Sequence, residues 1–409
     1  MDPELVGLLG ELVRIPSMNP GRDAALGSGY GEGRLAARVA AFLREAGLAV
    51  ELQEIAPGRP NVLARLDSAD SARRTPRSAL LFVAHLDTVP VEGMAIPPFE
   101  GGVRDGRLWG RGACDNKGSL AAMLVALRRV AAARANPRAI LFAGTADEES
   151  GYRGIRAALG KCGVMSAECG ARCEARPFAA FVGEPTGLNI VIAHRGVVRW
   201  TMEQRGKSAH SAFPWLGVNA IYRMAPVLGA LEALAAQLAR RPAHPLVGPP
   251  SLSVGTIRGG HSVNTVPDCC TIEVDRRLLP GESPEAAEAE VRALAERHGA
   301  AIERFFCTGA FEAPPDCPAA RMACEAVRAV SSRLDRALTI GNRKSEIGNF
   351  IGVAYATEAP EAVAAGIPAV VIGPGDAAKA HSADECIELD QLQAAEQVYE
   401  HLMTQDAPC

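Results

Sequence analysis

The chain has 409 residues, of which 48% are hydrophobic and 22% charged, and its formal net charge at pH 7 is −4. This length favours two domains, and this composition is typical of a globular protein that folds around its own core. The small negative charge, without a basic block, argues against nucleic acids and anionic membranes as partners.

The start of the chain, MDPELVGLLGELVRIPSMNPG, lacks the basic and apolar regions of a signal peptide. No apolar run approaches the roughly 18 residues of a membrane-spanning helix. The cysteines are scattered without a CxxC pair, and the tightest spacings are Cys269-Cys270 and the loose group Cys162, Cys169 and Cys173. We therefore expect reduced thiols, no zinc knuckle and a cytoplasmic location.

The first half of the chain alternates short apolar runs with a helical pattern. Strands are predicted at Ala79–Ala84, Ala139–Ala143 and Phe178–Gly183. A helix is predicted from about Gly118, because apolar residues recur after it at helical spacing. These residues are Leu120, Met123, Leu124 and Leu127. Such alternation indicates an α/β domain with helices on both faces of a mixed sheet.

After about Val197 the pattern changes to the order β-α-β-β-α-β, which is the ferredoxin-like arrangement. The predicted elements are strands at Val198–Gly206, Ser251–Ile257, Cys269–Leu278 and Ala301–Phe306, with helices at Gly217–Ala239 and from Pro284 to Gly299. Ser283 would cap the second helix, and the proline-rich stretch Arg241–Pro250 would be a loop.

The α/β pattern returns beyond Thr308, with a strand at Pro368–Gly373 and a closing helix from about Asp390. The sequence therefore predicts an α/β domain made of residues 1–197 and 309–409. A small α+β domain, residues 198–308, would be inserted into it.

Polar side chains that could bind metal follow the predicted strands of the α/β domain. His85 and Asp87 follow the first strand, Glu148 and Glu149 the second, and Glu184 the third. Loops at the carboxyl ends of strands converge on one crevice in open α/β sheets, so these groups can meet although they are far apart in sequence.

Two further candidates are His381, after the strand at Pro368–Gly373, and Asp115, in a glycine-rich turn before the helix at Gly118. Imidazole and carboxylate ligands without thiolate suit zinc or another borderline divalent ion. Two such ions carry four positive charges, which three ligating carboxylates and a bridging hydroxide would balance. A further carboxylate would take the proton of the attacking water and pass it to the leaving amine. The pattern predicts a two-metal hydrolase of amide bonds.

Eight segments, in order, resemble the M20 metallopeptidases, in the branch of the acetylornithine deacetylases and succinyl-diaminopimelate desuccinylases. The segments are VRIPSMNPG, AHLDTVPV, GRGACDNKGSLAAML, TADEESG, GEPTG, GKSAHSAFPWLGVNAI, NTVPDCCTIEVDRRLLPG and GPGDAAKAHSADE. The resemblance implies a zinc-peptidase-like catalytic domain with a ferredoxin-like lid, or dimerisation, domain.

The resemblance also implies a role for each metal-binding candidate. His85 and Glu184 would bind one ion, Glu149 and His381 the other, and Asp115 would bridge them. The two ions would be zinc, with cobalt or manganese as alternatives. A cis peptide bond would join Asp115 to Asn116.

Other residues receive catalytic and substrate-binding roles from the same resemblance. Glu148 would be the general base and acid, and Asp87 would hydrogen-bond the far nitrogen of His85. His210 of the lid would reach the site of a neighbouring subunit in a homodimer and stabilise the oxyanion. Arg277 and Asn264 would hold the substrate carboxylate.

The segment Ala354–Ala362, AYATEAPEA, resembles the TEA stretch of the acetylornithine deacetylases. Glu358 could therefore pair with the distal ammonium of an N-acyl amino acid, and N-acetylornithine is the first candidate substrate. The alternatives are a desuccinylase, a general aminoacylase, a carboxypeptidase or dipeptidase, and, in another class, a non-catalytic metal- or amino-acid-binding relative.

Each candidate residue also has a purely structural interpretation. Paired acidic residues are often solvated turns, and a histidine beside an aspartate is often a satisfied pair in a turn. Asp115 could cap a helix, Arg277 could pair with Asp275, and Glu358 with Thr357 could begin a helix.

Overall fold

The computed structural model describes residues 1–21, 27, 29–69, 79–161, 177–332, 339–340, 343–344 and 349–406. The chain divides into two compact units, the first formed by Met1–Ile192, Ala313–Ile351 and Thr357–Cys409 and the second by Ala193–Glu312 and Gly352–Ala356. The range 198–308 that the sequence assigned to an inserted domain lies inside the second unit. The cysteines at 162, 169 and 173 lie outside the described residues.

The described residues of the first unit form seven helices. They are α1 (Pro3–Arg14), α2 (Gly33–Glu45), α3 (Lys117–Ala133), α4 (Arg153–Lys161), α7 (Pro318–Ser331), α8 (Ala359–Ala364) and α9 (Leu389–Thr404). Its strands are β1 (Ala49–Ala56), β2 (Arg59–Leu66), β3 (Ala79–His85), β4 (Gly102–Arg104), β5 (Arg107–Trp109), β6 (Ala139–Thr145), β7 (Pro177–Val182), β16 (Thr339–Ile340), β17 (Arg343–Lys344), β19 (Ala369–Val371) and β20 (Cys386–Glu388). Strands β8 (Ile190–His194) and β18 (Phe350–Val353) begin in this unit and end in the second.

The main sheet of the first unit is mixed, with the order β1-β2-β6-β3-β7-β19-β8. Strand β3 is parallel to both β6 and β7, and β19 is parallel to β7. All seven residues of β3 are buried, as expected for a parallel strand covered on both faces. The sequence prediction of an α/β domain with a mixed sheet is confirmed.

The large hydrophobic core of this unit explains why α3 forms where the sequence predicted it. Leu120, Leu124 and Leu127 are completely buried, and they belong to the same core as Phe82 of β3 and Tyr399 of α9. A helix that is apolar on nearly every side is stable only inside a core, which is the position that α3 has.

The second unit contains a four-stranded antiparallel sheet and two long helices. Its elements are β9 (Gly196–Arg205), β10 (Ala209–His210), α5 (Ala220–Leu238), β11 (Ser251–Gly259), β12 (Thr265–Val266), β13 (Cys269–Leu278), α6 (Pro284–Arg297), β14 (Ala301–Thr308) and β15 (Phe311–Glu312), with a 3-10 helix at Pro214–Leu216. The sheet order is β11-β13-β9-β14, which leaves β11 and β14 at the edges. The order β-α-β-β-α-β of the six long elements agrees with the ferredoxin-like prediction.

Caps fix where the two helices of the second unit begin. The Asn219 side chain accepts hydrogen bonds from the amides of Ile221 and Tyr222, so α5 starts later than the predicted Gly217. The Ser283 side chain accepts from Glu285 and Ala286, and Pro284 occupies the first helical position of α6. Among the described residues, no helix combines the length and the apolar character that crossing a bilayer requires.

Candidate metal centre

The parallel strands β3, β6, β7 and β19 end at one edge of their sheet, and the predicted metal ligands follow them there. His85 is the last residue of β3, Glu148 and Glu149 lie just beyond β6, and Glu184 lies just beyond β7. The loop after β19 carries His381. The carboxyl ends of parallel strands form a crevice, and this crevice collects all five side chains.

Asp115 lies between two imidazoles. Its Oδ1 atom is 3.0 Å from His85 Nε2, and its Oδ2 atom is 3.2 Å from His381 Nε2. His85 Nε2 is 3.8 Å from Glu184 Oε1, and His381 Nε2 is 3.2 Å from Glu149 Oε1. A carboxylate that turns one oxygen to each of two histidine–glutamate pairs has the geometry of a bridging ligand.

The ligand atoms are close enough for metal ions to join them. Atoms of His85, Asp115 and Glu184 lie within 4.8 Å of one another, and so do those of Asp115, Glu149 and His381. The buried Oε1 atom of Glu184 has no hydrogen-bond partner among the described residues, which fits an atom that donates to a metal instead. This donor set of nitrogen and carboxylate oxygen fits zinc or a similar divalent ion.

The electrostatics of the cluster favour bound cations. Burial raises the pKa values of Glu148 and Glu184 well above their ordinary range, because charged carboxylates are costly to bury. Hydrogen bonds to Asp115 and Glu149 raise the pKa of His381 to about 10. Since the carboxylates stabilise a positive imidazole so strongly, they would also stabilise divalent cations.

Asp87 differs from the expectation that its carboxylate would hold His85. The Nδ1 atom of His85 is 2.9 Å from the backbone oxygen of Asp87 and 3.7 Å from its carboxylate. That carboxylate instead accepts hydrogen bonds from the amides of Glu148 and Glu149, at 3.1 and 3.0 Å, and from Asn19 at 2.7 Å. The Asp87 carboxylate therefore positions the glutamate turn, while its backbone carbonyl orients the histidine.

The structure bears on two of the helix-capping interpretations. The N-cap of α3 is Asn116 rather than Asp115, and its side chain makes no capping hydrogen bond. Glu358 is the N-cap of α8, but its side chain makes no capping hydrogen bond either; Thr357 accepts from the amide of Ala359. The expected cis peptide bond between Asp115 and Asn116 is present.

Glu385, to which the sequence analysis gave no role, holds the turn that presents Asp115. Its completely buried carboxylate accepts hydrogen bonds from Arg111 Nη1 at 2.7 Å and from the amides of Gly112, Cys114 and Asp115 at 2.9, 3.0 and 2.9 Å. His381 lies shortly before Glu385 in the same loop. One carboxylate therefore links the two loops that carry Asp115 and His381.

A buried network behind the glutamate turn involves residues near the start of the chain. Arg59 donates two hydrogen bonds to Glu32, at 2.8 and 2.6 Å, and lies 3.1 Å from Asp147. Asn19 donates to both Asp87 and Asp147. None of these four residues (Asn19, Glu32, Arg59 and Asp147) was predicted to have a role, although Asn19 lies in the segment VRIPSMNPG that contributed to the resemblance.

The remaining candidates lie in the second unit. His210 is exposed and its Nδ1 atom accepts from the amide of Ala212 at 3.0 Å. The backbone oxygen of Asn264 accepts from the amide of Ser211 at 3.0 Å. Arg277 donates to Asp275 at 2.7 Å, as the structural interpretation expected, but Asp275 also accepts from Arg199 at 2.8 Å. Two guanidinium groups therefore share one carboxylate.

Comparison with known proteins agrees with this geometry. Residues 81–405 match the family described as Peptidase family M20/M25/M40. The chain is 31% identical over 369 residues to an acetylornithine deacetylase from Myxococcus xanthus, with 88% of each chain covered. It is 29% identical over 405 residues to an acetylornithine deacetylase from Edwardsiella ictaluri, covering 95% of this chain and 94% of that protein.

Solved structures share the fold at lower sequence identity. An M20 family metallo-carboxypeptidase from Sulfolobus solfataricus superposes with a TM-score of 0.79 at 19% identity, with 99% of both chains covered. Human carnosine dipeptidase 1 gives a TM-score of 0.74 at 18% identity, with 98% of this chain and 96% of that chain covered.

Proposed function

The chain belongs to peptidase family M20/M25/M40, and from that premise we propose that it hydrolyses the acyl-amide bond of a small N-acyl amino acid. Family membership and the deacetylase relatives make the chain a metal-dependent amide hydrolase. The acyl group and the amino acid belong to the proposal, and N-acetylornithine is the first candidate.

The proposed metal ligands are the residues of the crevice. His85 and Glu184 would bind one divalent ion, Glu149 and His381 the second, and Asp115 would bridge them. Zinc is the first choice, and cobalt or manganese are the alternatives. Two such ions, when bound, polarise the scissile carbonyl and lower the pKa of the attacking water.

Glu148 is the proposed proton carrier. It precedes Glu149 in the turn after β6. Side-chain atoms of His85, Glu148 and Glu149 that could bind a metal lie within 4.8 Å of one another. Burial raises its pKa, and a carboxyl group with a raised pKa can both take a proton from water and give it to a leaving amine near neutral pH.

The observation that carries the choice of substrate is the environment of Glu358. Its side chain is 1% exposed; Oε2 accepts from Thr145 Oγ1 at 2.7 Å, and Oε1 has no hydrogen-bond partner among the described residues. Burial raises its pKa to about 8, and the charges of neighbouring His85 and Asp87 also act on it. A buried carboxylate with one free oxygen is costly, and the distal ammonium of ornithine would satisfy it.

We propose that the second unit acts as a lid and dimerisation domain. Strand β11 is an edge strand with mostly exposed residues, and edges of this kind often pair across a two-fold axis. Large apolar side chains of this unit, including Trp215 at 73% and Tyr222 at 77%, are exposed, which is typical of a surface that a partner covers. In the homodimer, His210 would stabilise the oxyanion in the partner's site, and Arg277 and Asn264 would hold the substrate carboxylate.

The test is a comparison of kcat/KM for N-acetylornithine and N-acetylmethionine with zinc or cobalt added. We expect a preference of about 10- to 100-fold for the ornithine derivative, because its distal ammonium can pair with the Glu358 carboxylate and a neutral side chain cannot. Glu358→Gln should narrow this ratio. Glu361→Gln is the matched control, since Glu361 lies on the same helix but pairs with Arg156 at 2.7 Å.

The other outcomes identify the alternatives. Equal kcat/KM for the two substrates would indicate a general aminoacylase, and a preference for N-succinyl-diaminopimelate would indicate a desuccinylase. Turnover of dipeptides alone would indicate a peptidase. No turnover of any of these compounds, with metal bound, would indicate a non-catalytic relative.

A further inference from the structure

Tyr152 lies in the turn that carries Glu148, in a backbone conformation that tyrosine seldom adopts. Its φ angle is 55°, in the left-handed region that favours glycine. The backbone oxygen of Asp147 accepts hydrogen bonds from the amides of both Tyr152, at 2.7 Å, and Gly151, at 3.0 Å. The turn thus folds back on itself and brings Tyr152 close to Glu148. Backbone strain at a buried, bulky residue suggests that its side chain has a function.

Tyr152 is 3% exposed, and the charges of three glutamates act on it. Its hydroxyl is hydrogen-bonded to Glu148, and it also experiences the charges of Glu184 and Glu358. Burial, together with these negative charges, raises the pKa of Tyr152 well above its ordinary value. Since a phenol carries one proton, the Tyr152 hydroxyl can donate it in the hydrogen bond to Glu148.

We propose that Tyr152 is a positioning residue whose hydroxyl donates to one oxygen of Glu148 and holds the other oxygen in place for proton transfer. The proposal rests on the proposed role of Glu148. A carboxylate on a flexible side chain has several rotamers, and proton transfer requires one of them with an accuracy of roughly 0.5 Å. A donor fixed by the strained turn would select that rotamer.

Tyr152→Phe removes the hydroxyl and keeps the ring. With N-acetylornithine as substrate, we expect kcat to fall about 10- to 100-fold, which corresponds to the loss of one hydrogen bond to a charged group, while KM changes less than about twofold. The zinc content should be that of the wild type. Tyr399→Phe is the matched control, because this buried tyrosine also donates one hydrogen bond, to the Ile372 carbonyl at 2.8 Å. It should retain a wild-type kcat.

A double variant tests whether Tyr152 acts through Glu148. In a Glu148→Gln background, Tyr152→Phe should cause no further loss of kcat beyond about twofold, since the group that it positions is gone. An equal loss in both backgrounds, a wild-type kcat for Tyr152→Phe, an effect on KM alone, or loss of zinc would each overturn the positioning role.

The same variants separate this proposal from the proposed function. Full turnover by Glu148→Gln would refute the proton-carrier role of Glu148, and the positioning role with it. A strongly impaired Glu148→Gln together with a fully active Tyr152→Phe would refute the role of Tyr152 alone.

Discussion

The buried carboxylate of Glu396 should make the protein less stable as the pH rises from 5 to 8. Its side chain is completely buried; Oε1 lies 2.6 Å from Arg129 Nη1, and Oε2 accepts from Gln393 at 3.1 Å. Burial raises the pKa of Glu396 from 4.5 to about 7, although the charge of Arg129 opposes the rise. The free energy of unfolding must therefore depend on the protonation of this group.

The sign follows from the order in which the two states lose the proton. The folded pKa lies above the unfolded one, so the stabilising contribution is complete below the unfolded pKa of 4.5 and is lost as the pH rises through about 7. At about 1.36 kcal/mol per pKa unit, the free energy of unfolding should fall by about 2.5 kcal/mol between pH 5 and pH 8 because of this group.

Urea unfolding at several pH values from 5 to 8 gives the free energy of unfolding of the wild type and of Glu396→Gln. The difference between the two free energies isolates the effect of Glu396, since the other titrating groups contribute equally to both proteins. Glu400→Gln is a second variant of graded effect: Glu400 lies 3.9 Å from the same guanidinium, its side chain is 41% exposed, and its charge helps to raise the pKa of Glu396. Its removal should therefore reduce the pH dependence without abolishing it. Parallel pH curves for the wild type and Glu396→Gln would show that the reasoning is wrong.

Three further predictions concern the proposed activity. Dialysis against a strong chelator should abolish turnover and zinc or cobalt should restore it, as measured by activity and metal content; full activity in a metal-free preparation would contradict the two-metal proposal. Glu148→Gln should keep its metal and lose about 10²- to 10⁴-fold in kcat; loss of the metal would instead identify Glu148 as a ligand. His210→Ala should lower turnover while sedimentation still shows a dimer, and a fully active wild-type monomer would exclude the shared site.

The sequence predicted those parts of the fold whose local pattern agrees with their final environment. The strand Cys269–Leu278 has the predicted bounds, because its residues alternate regularly between buried and half-buried positions. Helix α1 received no prediction, although Leu5, Leu8, Leu9 and Leu12 have helical spacing and all are buried. This spacing of leucines is a pattern that predicts a helix.

The site shows where local patterns are insufficient. The strand ends located His85, Glu149 and Glu184, since the edge of a parallel sheet is a property of topology that the order of elements reveals. Glu385 follows Asp384 in a polar loop and resembles a solvated acidic pair, yet it is completely buried. Its four donors come from a turn far away in the sequence, so only the tertiary structure reveals its role.

The buried contacts of Asn19, Glu32 and Arg59 have a practical consequence for the design of shorter versions of this protein. The family match begins at residue 81, so a gene fragment cut at that point would still contain every matched residue. It would lack the amide that bonds Asp87 and the guanidinium beside Asp147, and so would leave two buried carboxylates without these partners. Asp87 would keep the amides of Glu148 and Glu149, and Asp147 would keep Arg153, but the loss of a partner of a buried charge destabilises the fold. Such a fragment should therefore be recovered as insoluble material rather than as a minimal enzyme.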